Sequence, residues 1–424
     1  MQAARAYIPI MTAAPSFDAP ALDADVLIVG GGLIGPATAL ALAEGGLSVL
    51  LIDALPVEAR EDPEFDGRAY SVSLASRRFL DVIGVWPHVD AHAQPVARIE
   101  IEGDGPASGP LLHFDHAELD QGPASSILED RFLRRALLRK LDAHSGVAAI
   151  APAEVVDTRR TDAAAEAELA DGTVLRAPLL IACDGGRSPV AARAGIRRTG
   201  WTYDQEGLVC ALALGDDHAG VARQRFLPGG PFAVLPLPDR KASIVWSDRA
   251  AEAERISALP DDAYLAEIAR RLGRPAEGLS LIGRRWRYPL RFGLAADWVR
   301  PRLALVGDAA HSVHPIAGQG FNLGIRDAAA LAETVVEARR RGEDLGALNV
   351  LERYQIWRRF ETTALALSMD AMNRVFCSDL APLRLLRDAG LSLADRLPGA
   401  RLAFMRQAAG LVPGAPRMLR GEAL

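Results

Sequence analysis

A glycine-rich turn between two apolar runs constrains this chain more than any other feature. Residues 24–29 read as a short buried strand, and Gly30, Gly32 and Gly35 follow at once with the spacing G-x-G-x-x-G. Residues 36–44 are small, apolar and helical in pattern, and residues 47–52 form a second strand-type run that ends at Asp53. Strand, turn, helix and strand in this order make a βαβ unit, the context a dinucleotide fingerprint needs. Gly30 permits the tight turn, Gly32 lets a pyrophosphate approach the backbone, and Gly35 lets helix and strand pack closely. Asp53 stands where the motif places the acid that accepts a hydrogen bond from the adenosine ribose.

Two further blocks carry chemistry. The apolar residues 303–306 lead into Gly307 and Asp308, then a turn holding Pro315, then Gly318, Gly320 and Gly324 at the head of a helix predicted over 322–339. The glycines leave little side-chain bulk, so a flat ligand can lie against the backbone. Amides at the helix start favour partial negative charge on that ligand. Between the two glycine-rich blocks, a buried-strand run at 179–182 and Cys183 precede Asp184, Gly185, Gly186, Arg187 and Ser188. Alone, that segment is a turn capped by Asp. Beside a nucleotide site, its Arg suits a phosphate and its Asp a ribose or a backbone amide.

The GxGxxG, DGxRS and GDAAHxxxPxxGQGxN blocks, in that order, resemble those of the flavin-dependent aromatic hydroxylases of the single-component type. The likeness covers about residues 24–420. Within that family the chain is most similar to the hydroxylases of ubiquinone biosynthesis. Residues 68–73, 128–131, 200–205, 225–228 and 232–236 carry this finer likeness, as does the C-terminal run from 386–391 to Pro416 and Gly421.

The resemblance implies an FAD-dependent monooxygenase that uses O2 and NAD(P)H or another electron donor, the cofactor carrying a step no side chain can perform. It assigns Asp308 to the ribityl or phosphate-side groups of the flavin and residues 318–322, with Gly318, Gly320 and Asn322, to the pyrimidine end of the ring. The Pro315 carbonyl is assigned to the reacting carbon. Arg131 is similar to the family's flavin-contacting Arg, against the plain reading of a first-turn surface Arg. Arg68 closes over the cofactor or belongs to a surface loop, and Val155 contacts the adenine through its main chain. The implied substrate is a prenylated phenol, with other quinone-biosynthesis proteins as partners and, from the C-terminal helices, either an apolar channel for the prenyl tail or peripheral membrane contact. Two readings stay beside it: an FAD monooxygenase of a small soluble phenol, and a non-catalytic flavoprotein subunit of a biosynthetic complex. A prenyl-chain reductase shares the flavin blocks; a halogenase expects a WxWxIP motif that this sequence lacks.

The expected fold is α/β. A Rossmann-like FAD-binding domain (24–75, 125–189 and 291–345) is interleaved with an antiparallel-sheet substrate domain (76–124 and 190–290), followed by a helical C-terminus (346–424). Residues 1–23 are expected to be a disordered extension, with Met11 an alternative start. Strand runs at 207–214, 232–237, 242–246 and 285–290 are separated by turn residues, whereas 163–170 and 216–220 read as solvated loops. His311 and His314 are expected to be backbone hydrogen-bond partners, with acid–base work the alternative. Alternation puts Trp201 and Tyr203 on one face of a strand.

A net charge of −6 disfavours nucleic-acid binding. Cys183, Cys210 and Cys377 are too scattered for a metal site and look like reduced thiols. No apolar run reaches the length of a membrane span, and the Ala- and Pro-rich start makes a poor targeting signal. The expected location is cytoplasmic, with membrane association through the substrate.

Overall fold

The computed structural model describes residues 22–60, 65–103, 110–377, 395 and 397–424. The expected extension at 1–23 falls outside these apart from its last two residues, as does the run at 386–391. Five parallel strands form the nucleotide-binding sheet. In spatial order they are Leu303–Leu305, Leu179–Ala182, Val26–Val29, Val49–Ile52 and Val147–Ile150, with the short antiparallel Val299–Arg300 at one edge. Val26–Val29 and Leu179–Ala182 are buried along their whole length, as strands covered on both faces must be. The helices Ile34–Glu44, Asp130–Ala143 and Gln319–Arg340 pack against this unit.

A three-stranded antiparallel sheet, Val155–Arg160, Ala165–Leu169 and Val174–Ala177, also packs against the parallel sheet. It corrects the loop expected at 163–170. Ala165, Ala167 and Leu169 are buried and alternate with Glu166 and Glu168, a period of two that makes a strand with one covered face. Small alanines gave that face little apolar signal.

The second body is an eight-stranded sheet. Its order is His311–Ser312, Ser280–Ala295, Arg198–Ala213, Lys241–Arg249, Gly230–Leu237, Val221–Leu227, Arg98–Glu102 and Pro110–Asp115. All neighbours run antiparallel except Val221–Leu227 with Arg98–Glu102. Leu208, Cys210, Leu212, Phe232, Ile244 and Trp246 form its core against Tyr264 and Ile268 of the helix Asp261–Leu272. The strand expected at 207–214 begins earlier, at Arg198, so Trp201 and Tyr203 lie on it. A second three-stranded sheet joins Ala69–Ser73 to Ser125–Glu129 and Gln94–Pro95. The long helix Leu348–Phe376 follows, then Pro398–Ala409, which Pro398 opens because its missing N–H costs nothing in the first turn.

One buried charge cluster ties these parts together. Asp327, fully buried in Gln319–Arg340, accepts the Gly307 N–H at 3.2 Å, meets His311 Nε2 at 2.5 Å and accepts from Arg358 Nε at 3.0 Å. Arg358 also donates to Glu361, which takes a second bond from Arg326. Burial alone would raise the Asp327 carboxyl pKa, but His311 and Arg358 outweigh it and hold it below the usual range. Replacing Asp327 by Ala strands a buried Arg and His, and should cost about 3–5 kcal/mol of folding stability. Urea unfolding of the FAD-free variant checks this; a loss below about 1 kcal/mol would show that the cluster is not holding the fold.

Candidate flavin site

The fold brings the three sequence blocks to one place. Gly30 has φ +111°, and a Cβ there would run into the Cys183–Asp184 backbone, so the first turn is pressed against the third block. A Cβ on Gly35 would collide with the Gly30 carbonyl oxygen. Ile34, at the head of its helix, lies under both Gly307 and Gly324: an added Cβ on Gly324 would come within 2.7 Å of its Cδ1. Gly186 meets Ser312 in the same way.

Gly32 and Gly320 differ from these. A Cβ on either would meet no protein atom within 4 Å. Packing within the protein does not require glycine at these two positions, whereas close approach of a ligand does. Asp184 supplies a second sign of fit. Its Oδ2 accepts the Val190 N–H at 3.1 Å, while its buried Oδ1 has no partner. Burial raises its carboxyl pKa, against hydrogen bonds from Ser188 and Val190 that lower it. Asp308 keeps much of its surface accessible, yet burial raises its pKa too, with His311 and Arg198 pulling it down. A carboxylate both accessible and crowded lies on the floor of a groove.

The remaining predicted residues sit as follows. Asp53 accepts the Gly31 N–H and, at 2.7 Å, the Leu55 N–H, at the C-terminal end of its strand. Asn322 is fully buried: it accepts from Ser73 N–H and Ser76 Oγ, both at 2.9 Å, and donates to the Ser71 carbonyl at 2.8 Å. Its side chain therefore pins the glycine-rich turn to Ala69–Ser73. Gly318, at φ +61°, caps the helix Gln319–Arg340, and its N–H donates to the Pro315 carbonyl at 3.0 Å.

Arg131 lies over Phe132 and donates to Glu129 at 2.6 Å. Arg68 pairs with Asp66 and reaches Asp130, with its guanidinium 5.3 Å from the Trp286 ring centre. Both Arg residues stand at the seam between the small sheet and the large one. The Val155 carbonyl accepts from Arg193 at 3.3 Å.

Arg198 and Asp327 escaped the sequence reading. Arg198 donates to the Ala309 carbonyl at 2.9 Å and to Ser312 Oγ at 2.7 Å; burial lowers its pKa, while Asp308 and Asp184 raise it. It lines a cavity of about 620 Å³ with Asp184, Arg187, Trp201, Arg291 and Phe292. Nothing in its sequence neighbourhood marks it. Asp327 did carry a signal: an acid amid the apolar run that follows Gly324 must be paired or exposed.

His311 and His314 are both 1 % exposed. His311 serves Asp327, and His314 Nδ1 accepts the Ile316 N–H at 3.3 Å. The His314 ring stands edge-on to Tyr203, whose hydroxyl donates to Asp370 at 2.6 Å. Burial and Asp370 push the Tyr203 phenol pKa up, and the nearby Trp201 N–H opposes them. Burial lowers His314 to about 4, against Asp370. Among the described residues no His, Cys, Asp and Glu cluster could hold a metal ion.

The model of the FAD binding domain family matches residues 23–363. The ubiquinone hydroxylase UbiL of Rhodospirillum rubrum is 41 % identical over 404 residues, covering 95 % of this chain and 94 % of that protein. The 3-demethoxyubiquinol 3-hydroxylase of Escherichia coli is 36 % identical, covering 91 % and 98 %. Among solved structures, the p-nitrophenol 4-monooxygenase PnpA of Pseudomonas putida DLL-E4 superposes with a TM-score of 0.76 at 21 % identity, covering 90 % and 96 %; it shares the fold.

Two predictions follow from the site itself. Gly32→Ala should leave the FAD-free melting temperature unchanged and weaken FAD binding by roughly 1–3 kcal/mol, whereas Gly35→Ala should destabilise the FAD-free protein by at least as much. Paired thermal scans and FAD titrations separate the two, and a Gly32→Ala protein with wild-type FAD affinity would put the ligand elsewhere. The second concerns His314. The unfolded chain takes up its proton near pH 6.5 and the folded one only near 4. Between these values the unfolded state binds more protons, so stability falls as pH falls, by up to about 3 kcal/mol. His314→Gln should flatten that part of the curve, as read by urea unfolding at pH 6.5 and 4.5.

Proposed function

The chain belongs to the FAD-dependent aromatic hydroxylases, in the branch that holds the ubiquinone-biosynthesis hydroxylases, and we propose from this premise that it hydroxylates the ring of a polyprenylated phenol or quinol. The observation that carries the reading is the reach of the likeness. The R. rubrum hydroxylase matches this chain over 95 % of its length, so the large sheet facing the flavin blocks is shared as well as the blocks.

FAD, when bound, would supply the redox chemistry that couples a reduced electron donor and O2 to ring hydroxylation. The chain's own residues hold and orient. Gly30, Gly32 and Gly35 with the start of Ile34–Glu44 receive the pyrophosphate, and Asp53 takes the adenosine ribose. Asp308 takes the ribityl or phosphate-side hydroxyls, and Asp184 holds a ribose or amide donor on its second oxygen. Gly318, Gly320 and Asn322 would hold the ring end of the flavin through the turn they shape, with Pro315 beside it. Arg68 and Arg131 close the seam, and Val155 meets the adenine. The cavity lined by Arg187, Arg198 and Arg291 has the charge for a phosphate-bearing electron donor, which supports NAD(P)H. The sheet keeps water from the reacting carbon.

No helix among the described residues is long and apolar enough to cross a membrane. Ile356 and Phe360, 76 % and 84 % exposed one turn apart on Leu348–Phe376, supply an apolar contact for a membrane surface or a partner of the pathway. The protein works in the cytoplasm against that surface.

Deleting the gene in its host and profiling quinones by mass spectrometry tests the proposal. An under-hydroxylated prenylphenol should accumulate, and wild type but not Asp308→Ala should restore the quinone. An unchanged quinone pool would favour a small soluble phenol as substrate.

A further inference from the structure

Two hydrogen bonds join the helix Leu348–Phe376 to the strand Arg198–Ala213, and one of them leads on to the flavin turn. In the first, Asn373 donates to Gln205 Oε1 at 2.8 Å, and Gln205 Nε2 donates to the Gly229 carbonyl at 2.9 Å. Asn373 and Gln205 are both buried, so this bond belongs to the packing of helix on sheet. In the second, the Tyr203 hydroxyl donates to Asp370 Oδ1 at 2.6 Å. Asp370 is 7 % exposed, and its other oxygen accepts from Arg374 Nε at 2.8 Å. With both oxygens engaged in charge-assisted bonds, the carboxylate is held facing Tyr203.

The contacts then close into a ring. The Arg374 guanidinium lies 5.1 Å from the Trp201 ring centre, and Phe292 stacks on Trp201 at 4.3 Å. Trp201 stands edge-on to Tyr203 at 6.4 Å, with its indole N–H directed to the same hydroxyl. Tyr203 is therefore fixed along its hydroxyl axis and against its ring. His314, 1 % exposed, leans edge-on against that ring at 5.2 Å. Its Nδ1 accepts the Ile316 N–H at 3.3 Å, and the Gly318 N–H donates to the Pro315 carbonyl at 3.0 Å. Pro315 thus sits between two anchored neighbours, one of them seated on Tyr203.

We propose that Asp370 is a positioning residue for hydroxylation: by holding the Tyr203 hydroxyl it fixes the wall on which His314 rests, and so sets where Pro315 stands against the flavin. This rests on the aromatic hydroxylase reading above, which puts the Pro315 turn at the ring end of the cofactor. Asp370 acts through Tyr203 and His314, and the neighbouring Asn373 bond secures the helix without it. A close-packed interior passes such a constraint on, because a ring released from its bond displaces its neighbours. The chemistry is sensitive to it, since a misplacement of about 1 Å can cost ~10²-fold.

The FAD-loaded enzyme provides the test through three readouts: the absorbance band of the bound flavin, the melting temperature and a single turnover. For the turnover, the flavin is reduced with dithionite without O2, then mixed with O2 and 2-prenylphenol. Each reduced flavin hands two electrons to one O2, which ends either as a ring hydroxyl plus water or as H2O2, so both products are counted. Tyr203→Phe and Asp370→Ala should shift the flavin band and lower the hydroxylated yield by about fivefold, with H2O2 rising to match. Asp370→Asn, which keeps an acceptor for the hydroxyl, should recover most of both. Asn373→Ala should lower the melting temperature and leave band and yield as in wild type. An unchanged band and yield in Tyr203→Phe and Asp370→Ala would overturn the positioning role and leave the hydroxylase reading standing. Equal losses in Asn373→Ala would overturn it too, by reducing Asp370 to a packing contact. Should wild type form no hydroxylated product, the hydroxylase reading falls, and the flavin band alone decides whether Asp370 positions the turn.

Discussion

The buried carboxylate of Asp327 is the interaction on which the rest of the site depends. It reaches the Gly307 amide, the His311 ring and the Arg358 guanidinium at once, so the turn bearing Asp308 cannot move independently of two long helices. Placing such charges away from water is expensive, and only a complete set of partners offsets it. Glu361, Arg326 and the Gln407 carbonyl complete most of that set, with Arg326 Nε and His311 Nδ1 left without a partner in the protein. It contributes little to net stability compared with an apolar core. What it adds is position.

Glycine does two kinds of work here, and the structure separates them. At Gly30, Gly35 and Gly324 the neighbours are protein, and the residue is small so that backbone and side chains from three distant segments can meet. At Gly32 and Gly320 the space beyond Cα is open. One set of glycines therefore lets the three segments meet, and another leaves open space at the turns. A motif alone cannot make that distinction, since both kinds share a one-letter code.

Much of the nucleotide half could be read from the chain because its signals are local. Strand, turn, helix and acid follow one another within residues 24–53, and the geometry matches the order of the letters. The large sheet was legible only in part. Its strands were found where apolar residues alternate, yet Arg198–Ala213 starts with Arg, Thr and Gly, and its first half is fixed by pairing with Ser280–Ala295. Arg198 and the Trp201–Tyr203–His314 grouping depend on that long-range pairing, which no window of sequence displays. Ala165–Leu169 was missed for the opposite reason: its alternation was present, but in residues too small to register as apolar.

The order of strands in the parallel sheet has a consequence for how the protein is made. Val26–Val29 lies between Val49–Ile52 and Leu179–Ala182, and the latter pairs in turn with Leu303–Leu305. Emerging first from the ribosome, the fingerprint strand has one neighbour early and must wait for the other. The floor of the groove waits longer, until Asp327 has been added. Through that interval an apolar strand edge stands open, so the nascent chain is at its most vulnerable to aggregation before it can hold a cofactor at all.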